Sequence, residues 1–293
     1  MPYITPMQQT TLLNDIEITD IGLHSGKPVH IVMRAAPADH GIQFKRSDME
    51  EGTNIVSPGY DRVVDTRLCT LIANDQGAKI GTIEHLMAAI RACDLDNVLI
   101  EIDAAEVPIM DGSSIQFVEA IEKAGMTTLD VPRRAIKILK EVRVVEGDKD
   151  VSLSPSDASI YAGKIDFPHP SVGVQEYEFE LSHENFKNDV ANCRTFGFLK
   201  DVEMMRAAGL ALGGSLDNAV VVDDNGVMNP DGLRRPDEFV RHKLLDAVGD
   251  LHCAGLPIIG RYYGIKGGHD MNNKLLRALF AQPDSFEIAM FSE

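Results

Sequence analysis

Phe239-Val240-Arg241-His242-Lys243-Leu244-Leu245-Asp246-Ala247-Val248-Gly249-Asp250-Leu251 is the segment from which the rest of this chain is read. Val240, Leu244, Ala247, Val248 and Leu251 recur at the three-and-four spacing of a buried helical stripe, with no proline and one late glycine. His242 and Asp246 are four apart, so they stack on one helix face about one turn from each other. An imidazole and a carboxylate that close together suit one divalent metal ion, whereas an isolated pair of this spacing is as readily a surface His–Asp contact. The rest of the chain decides between them.

The two halves of the chain share a plan. Residues 8–34 alternate as strand, turn (His24–Lys27) and strand, and the Asp65–Ile72 run reads as a further short strand. Thr82 reads as the N-cap of an apolar helix over 83–92, followed by a strand at Val98–Ile102 and a helix from Ile115 ending near Gly125. Pro132 and the charged pair Arg133-Arg134 mark a boundary, dividing the chain into domains 1–129 and 133–293. Strands at Ile136–Leu139, Val142–Val145, Val151–Leu153 and Tyr161–Asp166 then precede an insertion at about 199–222, with a helix over Val202–Ala208 and a strand at Ala219–Val222. Laying His85 on His242 brings Val98–Ile102 near Pro257–Tyr262, and Asp111-Gly112-Ser113 near Gly267-Gly268-His269. Each half thus has strands, a His-bearing helix, a strand, a glycine turn and a closing helix. Face-to-face packing of the halves would set His85 beside His242.

A chain of 293 residues with 44% apolar content supports a full core without staples. Four widely spaced cysteines without a C-x-x-C argue against a disulfide framework and against a cysteine zinc site, and fit a reducing compartment. No signal sequence opens at Met1–Pro6, and no run approaches the roughly 20 apolar residues of a membrane span. These features predict a cytoplasmic protein without stable membrane insertion, with a monomer as the default. A formal charge of −17 opposes nucleic-acid binding, so an anionic ligand would need a local group of Lys and Arg.

His85, His242 and Asp246 offer two neutral nitrogens and one carboxylate, the three-ligand pattern of catalytic zinc. Iron(II) suits the same set, which leaves a non-haem oxygenase as one alternative and a nucleotide-sugar or acyl-chain binding module with a structural metal as another. Glu84, beside a ligand, is placed to take a proton from water. His269, at a glycine turn before a helix over Met271–Phe280, is placed to give one to a leaving group. Hydrolysis needs such a pair and oxygen chemistry does not. Phe196 and Phe198, two apart on a strand, read most simply as core.

Seven segments, namely Thr82–Leu86, Pro108–Ser113, Arg194–Phe198, Leu212–Ser215, Val222–Asp224, Glu238–Leu251 and His269–Leu276, resemble in order the zinc-dependent UDP-3-O-acyl-N-acetylglucosamine deacetylases of bacterial lipid A (lipopolysaccharide) synthesis. The resemblance implies an α+β fold of two domains of similar topology, with helices between two outer β-sheets and a small insertion in each domain. It implies His85, His242 and Asp246 as zinc ligands, Glu84 as general base, His269 as general acid, Thr195 beside the metal helping to hold the tetrahedral oxyanion, and Lys243 contacting substrate next to the ligand it follows. Asp111 would partner the catalytic His, and Phe196 would line the sugar site, with Phe198 among the substrate contacts. Phe167 would stack on uracil, while Lys149 and Lys266 would meet the diphosphate. Val202, Gly214, Ser215, Leu216 and Ala219 would line a passage for the acyl chain.

Overall fold

Burial follows the two periods of the sequence. Buried and part-exposed residues alternate along Ile258–Ile265, whereas every residue of Glu84–Ala92 is buried, as expected of a helix enclosed on all sides. The computed structural model describes residues 7–291; Met1–Pro6, read above for a signal sequence, lie outside them. The first-half strands are β1 (Gln8–Leu12), β2 (Ile16–Ile21), β3 (Pro28–Ala35), β4 (Ile42–Arg46), β5 (Ile55–Val56), β6 (Val63–Asp65), β7 (Leu71–Ala73), β8 (Lys79–Ile80), β9 (Val98–Ile102) and β10 (Met126–Pro132). The second half carries β11 (Arg134–Ile138), β12 (Val142–Glu146), β13 (Lys149–Ser154), β14 (Ser159–Asp166), β15 (Val174–Glu180), β16 (Phe196–Phe198), β17 (Val220–Asp223), β18 (Gly226–Val227), β19 (Ile258–Ile265) and β20 (Phe286–Met290). Helices are α1 (Glu84–Ala92), α2 (Ile115–Ala124), α3 (His183–Asp189), α4 (Leu199–Ala207), α5 (Glu238–Leu251) and α6 (His269–Phe280).

The fold is α+β, and its halves repeat one topology. In the first, the β2–β3 hairpin lies antiparallel to β9, β9 runs parallel to β4, and β4 is antiparallel to β5. In the second, the β12–β13 hairpin lies antiparallel to β19, β19 runs parallel to β14, and β14 is antiparallel to β15. β11 and β20 extend the second sheet. Each half also carries a small three-stranded insertion, β6–β7–β8 and β16–β17–β18. The core is shared: Ile31, Phe44 and Ile100 of one sheet and Val151, Leu153 and Tyr161 of the other belong to one buried cluster with Leu86, Ile121, Val248 and Leu275 of α1, α2, α5 and α6. The helices therefore lie between the sheets, with α1 packed on α5.

Several local expectations are corrected. Thr82 is not an N-cap: it has φ of 55° and its hydroxyl donates to Glu106 Oε1 at 3.0 Å, while Ile83 occupies the cap position. The Asp65–Ile72 run is broken between β6 and β7, because Asp65 Oδ1 accepts the Arg67 N–H at 3.0 Å and turns the chain. The insertion helix spans Leu199–Ala207 and the strand after it Val220–Asp223. The boundary around Pro132 is itself structured. β10 pairs with β1, and Arg133 is buried against Asp94 and Asp96 at 2.7 and 2.8 Å. β4, β15, β20 and α3 were not anticipated, although Ser182 caps α3 by accepting the Asn185 N–H.

α1 and α5 meet without intervening side chain at Gly249, where a Cβ would stand 1.9 Å from the Glu84 carbonyl oxygen. Gly249→Ala must push the helices apart, and overpacking of this kind costs about 1–3 kcal/mol. The expected outcome is a lower urea midpoint at unchanged slope; an unchanged midpoint would show that the helices tolerate a methyl group there.

Candidate active site

The α1–α5 crossing brings His85, His242 and Asp246 together, all buried, with potential ligand atoms within 4.8 Å of one another. Asp246 Oδ1 lies 3.2 Å from His242 Nε2 and 3.6 Å from His85 Nε2. Those separations bracket the edge of about 3.3 Å that a tetrahedron of N and O ligands around zinc requires. Asp246 Oδ1 is buried and has no hydrogen-bond partner, an arrangement that a cation would relieve. The His242 ring bonds the Cys193 carbonyl through Nδ1 at 3.0 Å, which turns the Nε2 lone pair to the cluster. Burial lowers the His242 pKa to about 4, against the pull of Asp246. Burial opposes ionisation of Asp246 too, but His242 and Lys243 outweigh it and hold the carboxyl well below the ordinary range. A neutral imidazole and an ionised carboxylate are the forms that bind metal. The donor set fits a divalent ion.

Glu84 and His269 stand beside this cluster, with Oε1 and Nε2 3.8 Å apart. Burial raises the Glu84 pKa, and the charges of His269 and His85 only partly offset it. His269 is the first residue of α6. Burial pulls its pKa down, but Asp250 and Glu84 prevail and push it up to about 10. Its partner is Asp250, whose Oδ2 lies 2.9 Å from His269 Nδ1 and accepts from Asn272 Nδ2 at 2.8 Å. Asp111, expected in that role, lies elsewhere: its Oδ2 accepts from Arg234 Nη1 at 2.7 Å and its Oδ1 from the Ser113 hydroxyl. Asp250 was missed although the 242, 246, 250 spacing puts it on the ligand face, one turn farther along α5.

The remaining expected residues fall into three groups. Lys243 Nζ donates to Asp246 Oδ2 at 2.9 Å and lies 5.6 Å from the centre of the Phe196 ring. Thr195 donates its N–H to Gly112 O at 2.7 Å, two residues beyond the carbonyl that anchors His242. Phe167 lies 5.8 Å from Phe196 and 5.7 Å from Phe198, so the three rings cluster beside α5, where Phe196 meets Phe239. Phe196 and Phe198 are half-buried and pack against a second buried cluster that includes Val220, Val222 and Phe239. Lys149 is exposed at the start of β13, whereas Lys266 Nζ is held by Asp148 at 2.9 Å and Asp166 at 3.3 Å. In the insertion, Val202 lies on α4, which buries none of its residues, and packs near Gly197. Gly214, Ser215, Leu216 and Ala219 lie on the return loop, which Asn218 and Asn229 pin through hydrogen bonds to Ser215 N, Leu216 O and Ala219 O.

Two imidazoles and a carboxylate, flanked by a buried Glu and a carboxylate-held His between two like α+β halves, form a donor set and a proton-carrying pair that suit a metal-dependent hydrolase. The comparisons narrow this. Residues 9–281 match the profile of the UDP-3-O-acyl N-acetylglycosamine deacetylase (LpxC) family, and the chain belongs to that family. It is similar to proteins named UDP-3-O-acyl-N-acetylglucosamine deacetylase from Phenylobacterium zucineum, 44% identical over 98% of both chains, and from Thioalkalivibrio sulfidiphilus, 46% identical over 98% of this chain and 94% of the relative. A Neisseria meningitidis serogroup A protein of the same name is 45% identical over 98% of this chain and 94% of its own. Among the described residues no helix is long and apolar enough to cross a membrane.

The raised pKa of His269 has a signed consequence. Its proton adds stability that is full below the ordinary value of 6.5 and is lost as pH rises through about 10. Asp250→Asn removes the largest of the raising charges, so the alkaline limb of the kcat–pH profile should move to lower pH. A limb that stays in place in an active Asp250→Asn protein would remove Asp250 from control of that proton.

Proposed function

We propose that this chain hydrolyses the N-acetyl group of UDP-3-O-acyl-N-acetylglucosamine, giving acetate and the free glucosamine amine, with zinc held by His85, His242 and Asp246. Family membership supports the reaction, and the unpartnered Asp246 Oδ1 between two imidazole nitrogens is the observation that carries the metal site. Zinc held there would supply Lewis acidity, polarising the N-acetyl carbonyl and making a neighbouring water a better proton donor near neutral pH. Glu84 takes the proton of the attacking water; its buried carboxylate is a stronger base than one in solvent. His269, kept protonated by Asp250, delivers a proton to the departing nitrogen as the C–N bond breaks. Thr195 and Lys243 are assigned to the developing oxyanion and the substrate beside it.

Substrate contacts follow the same reading. The sugar lies against Phe196, with Phe198 beside it, uracil against Phe167, and the diphosphate near Lys149 and Lys266. The acyl chain runs past Val202, Gly214, Ser215, Leu216 and Ala219, where Leu212 and Met204 leave apolar surface 53% and 63% exposed. We infer domains at 1–129 and 133–293, with the metal at their junction, in a cytoplasmic monomer; the wide spacing of the cysteines supports the reducing compartment. The substrate is amphipathic, and the enzyme acts on it without a spanning helix among the described residues.

The test is acetate release from UDP-3-O-acyl-N-acetylglucosamine before and after chelation. Release should vanish with chelator and return with added zinc; no release from folded, zinc-loaded protein would overturn the assignment. Glu84→Gln should retain zinc and lose turnover by at least roughly a hundredfold, the usual scale of general-base catalysis. Turnover near wild type in that variant would take Glu84 out of the base role.

A further inference from the structure

Thr70 supplies no proposed metal ligand and moves no proton in the reaction above, yet it touches the groups on both sides of His269. It sits in the short segment between β6 and β7 and is 3% exposed. Its backbone N–H donates to Glu84 Oε2 at 3.0 Å, and its hydroxyl donates to Asp250 Oδ1 at 2.6 Å. The second oxygen of each carboxylate faces His269, Glu84 Oε1 at 3.8 Å from Nε2 and Asp250 Oδ2 at 2.9 Å from Nδ1. Thr70, Glu84, His269 and Asp250 thus close a ring. Within it each carboxylate turns one oxygen to the threonine and the other to the imidazole.

We propose that Thr70 is a positioning residue for the hydrolysis, fixing the rotation of the Glu84 and Asp250 carboxylates so that both aim at His269. A carboxylate held at one oxygen only is free to swing about its last torsion, which is broad and soft. Asn272 Nδ2 holds Asp250 Oδ2, and Thr70 supplies the hydrogen bond to the other oxygen. In a site this buried, a missing donor also leaves a charged oxygen unsatisfied. The tie has a second effect. Thr70 belongs to the insertion of the first half and Asp250 to α5 of the second, so the hydroxyl registers a first-half loop against the helix that carries His242 and Asp246. The inference rests on the reading of Glu84 as base and His269 as acid.

The experiment compares zinc-loaded Thr70→Val, Thr70→Ser and Glu84→Gln with wild type. Thr70→Val keeps the shape and the backbone donor and deletes the hydroxyl; kcat should fall roughly tenfold or more, the scale of one hydrogen bond to a charged group, with KM changed less than about twofold. Thr70→Ser restores the donor and should recover most of kcat. The downfield proton resonance of the His269 Nδ1–H in the Asp250 bond should shift or broaden in Thr70→Val and return in Thr70→Ser. Should Thr70→Val fold poorly, Thr70→Ala against Thr70→Ser gives the same comparison. Wild-type kcat and an unmoved resonance in the hydroxyl-free variant, with Glu84→Gln inactive, would overturn the role of Thr70 alone. Turnover in Thr70→Ser as low as in the hydroxyl-free variant would show that the hydroxyl does not by itself set kcat and would also overturn it. An active Glu84→Gln would instead bring down the reading beneath it.

Discussion

The contact of the Glu84 carbonyl with the bare backbone of Gly249 governs the site. Two helices approach this closely only where one of them lacks a side chain, and at that crossing His85 meets His242 edge to face with ring centres 5.0 Å apart. Neither half holds the metal set alone. The like topology of the halves explains how this arises: α1 and α5 occupy equivalent places against equivalent sheets, so packing the sheets outward turns both His-bearing helices inward. Once they cross, the spacing of four residues along α5 fixes Asp246 and Asp250 as successive turns of one charged face.

That face is costly to bury. Glu84, Asp246 and Asp250 are each at most 4% exposed, and ionised carboxylates in such surroundings persist only with partners. Lys243 serves Asp246, His269, Asn272 and Thr70 serve Asp250, and His269 and the Thr70 N–H serve Glu84. The exception is Asp246 Oδ1, which lacks a donor where the two imidazoles converge. The unmet acceptor therefore coincides with the point at which a cation would be held, as expected when a fold gives up some stability to keep a site open for chemistry.

Periodicity made the two His-bearing helices legible, because 3.6-residue spacing is local and survives any tertiary context. The duplicated plan was legible for a related reason: order along the chain is preserved even where identities are not. Contacts between distant segments were not. Asp111 is followed by a glycine turn like the one before His269, but Arg234, 123 residues on, claims its carboxylate, and nothing local announces that. Thr82 precedes an apolar helix as a cap would, yet Glu106 takes its hydroxyl and the backbone turns to positive φ. Pro132-Arg133-Arg134 reads as a boundary, but its residues do not say that Asp94 and Asp96 hold Arg133 buried there. In each case a polar side chain has a long-range partner that composition cannot reveal.

The same limit bears on how an anionic substrate is met by a chain of net charge −17. Counting lysines near β13 and β19 suggests a ready phosphate site, but Lys266 already lies between Asp148 and Asp166, and its pKa is raised by those bonds. A diphosphate at this place has to displace carboxylates, not merely fill a cationic pocket. Exposed pairs of this kind are individually weak, so exchange is feasible and would be sensitive to salt. The aromatic cluster of Phe167, Phe196 and Phe198 carries no such competition, and its half-buried rings offer stacking surface whatever the ionic strength. In the proposed complex, then, the uridine and sugar faces set where the substrate lies, and the charged groups adjust around it.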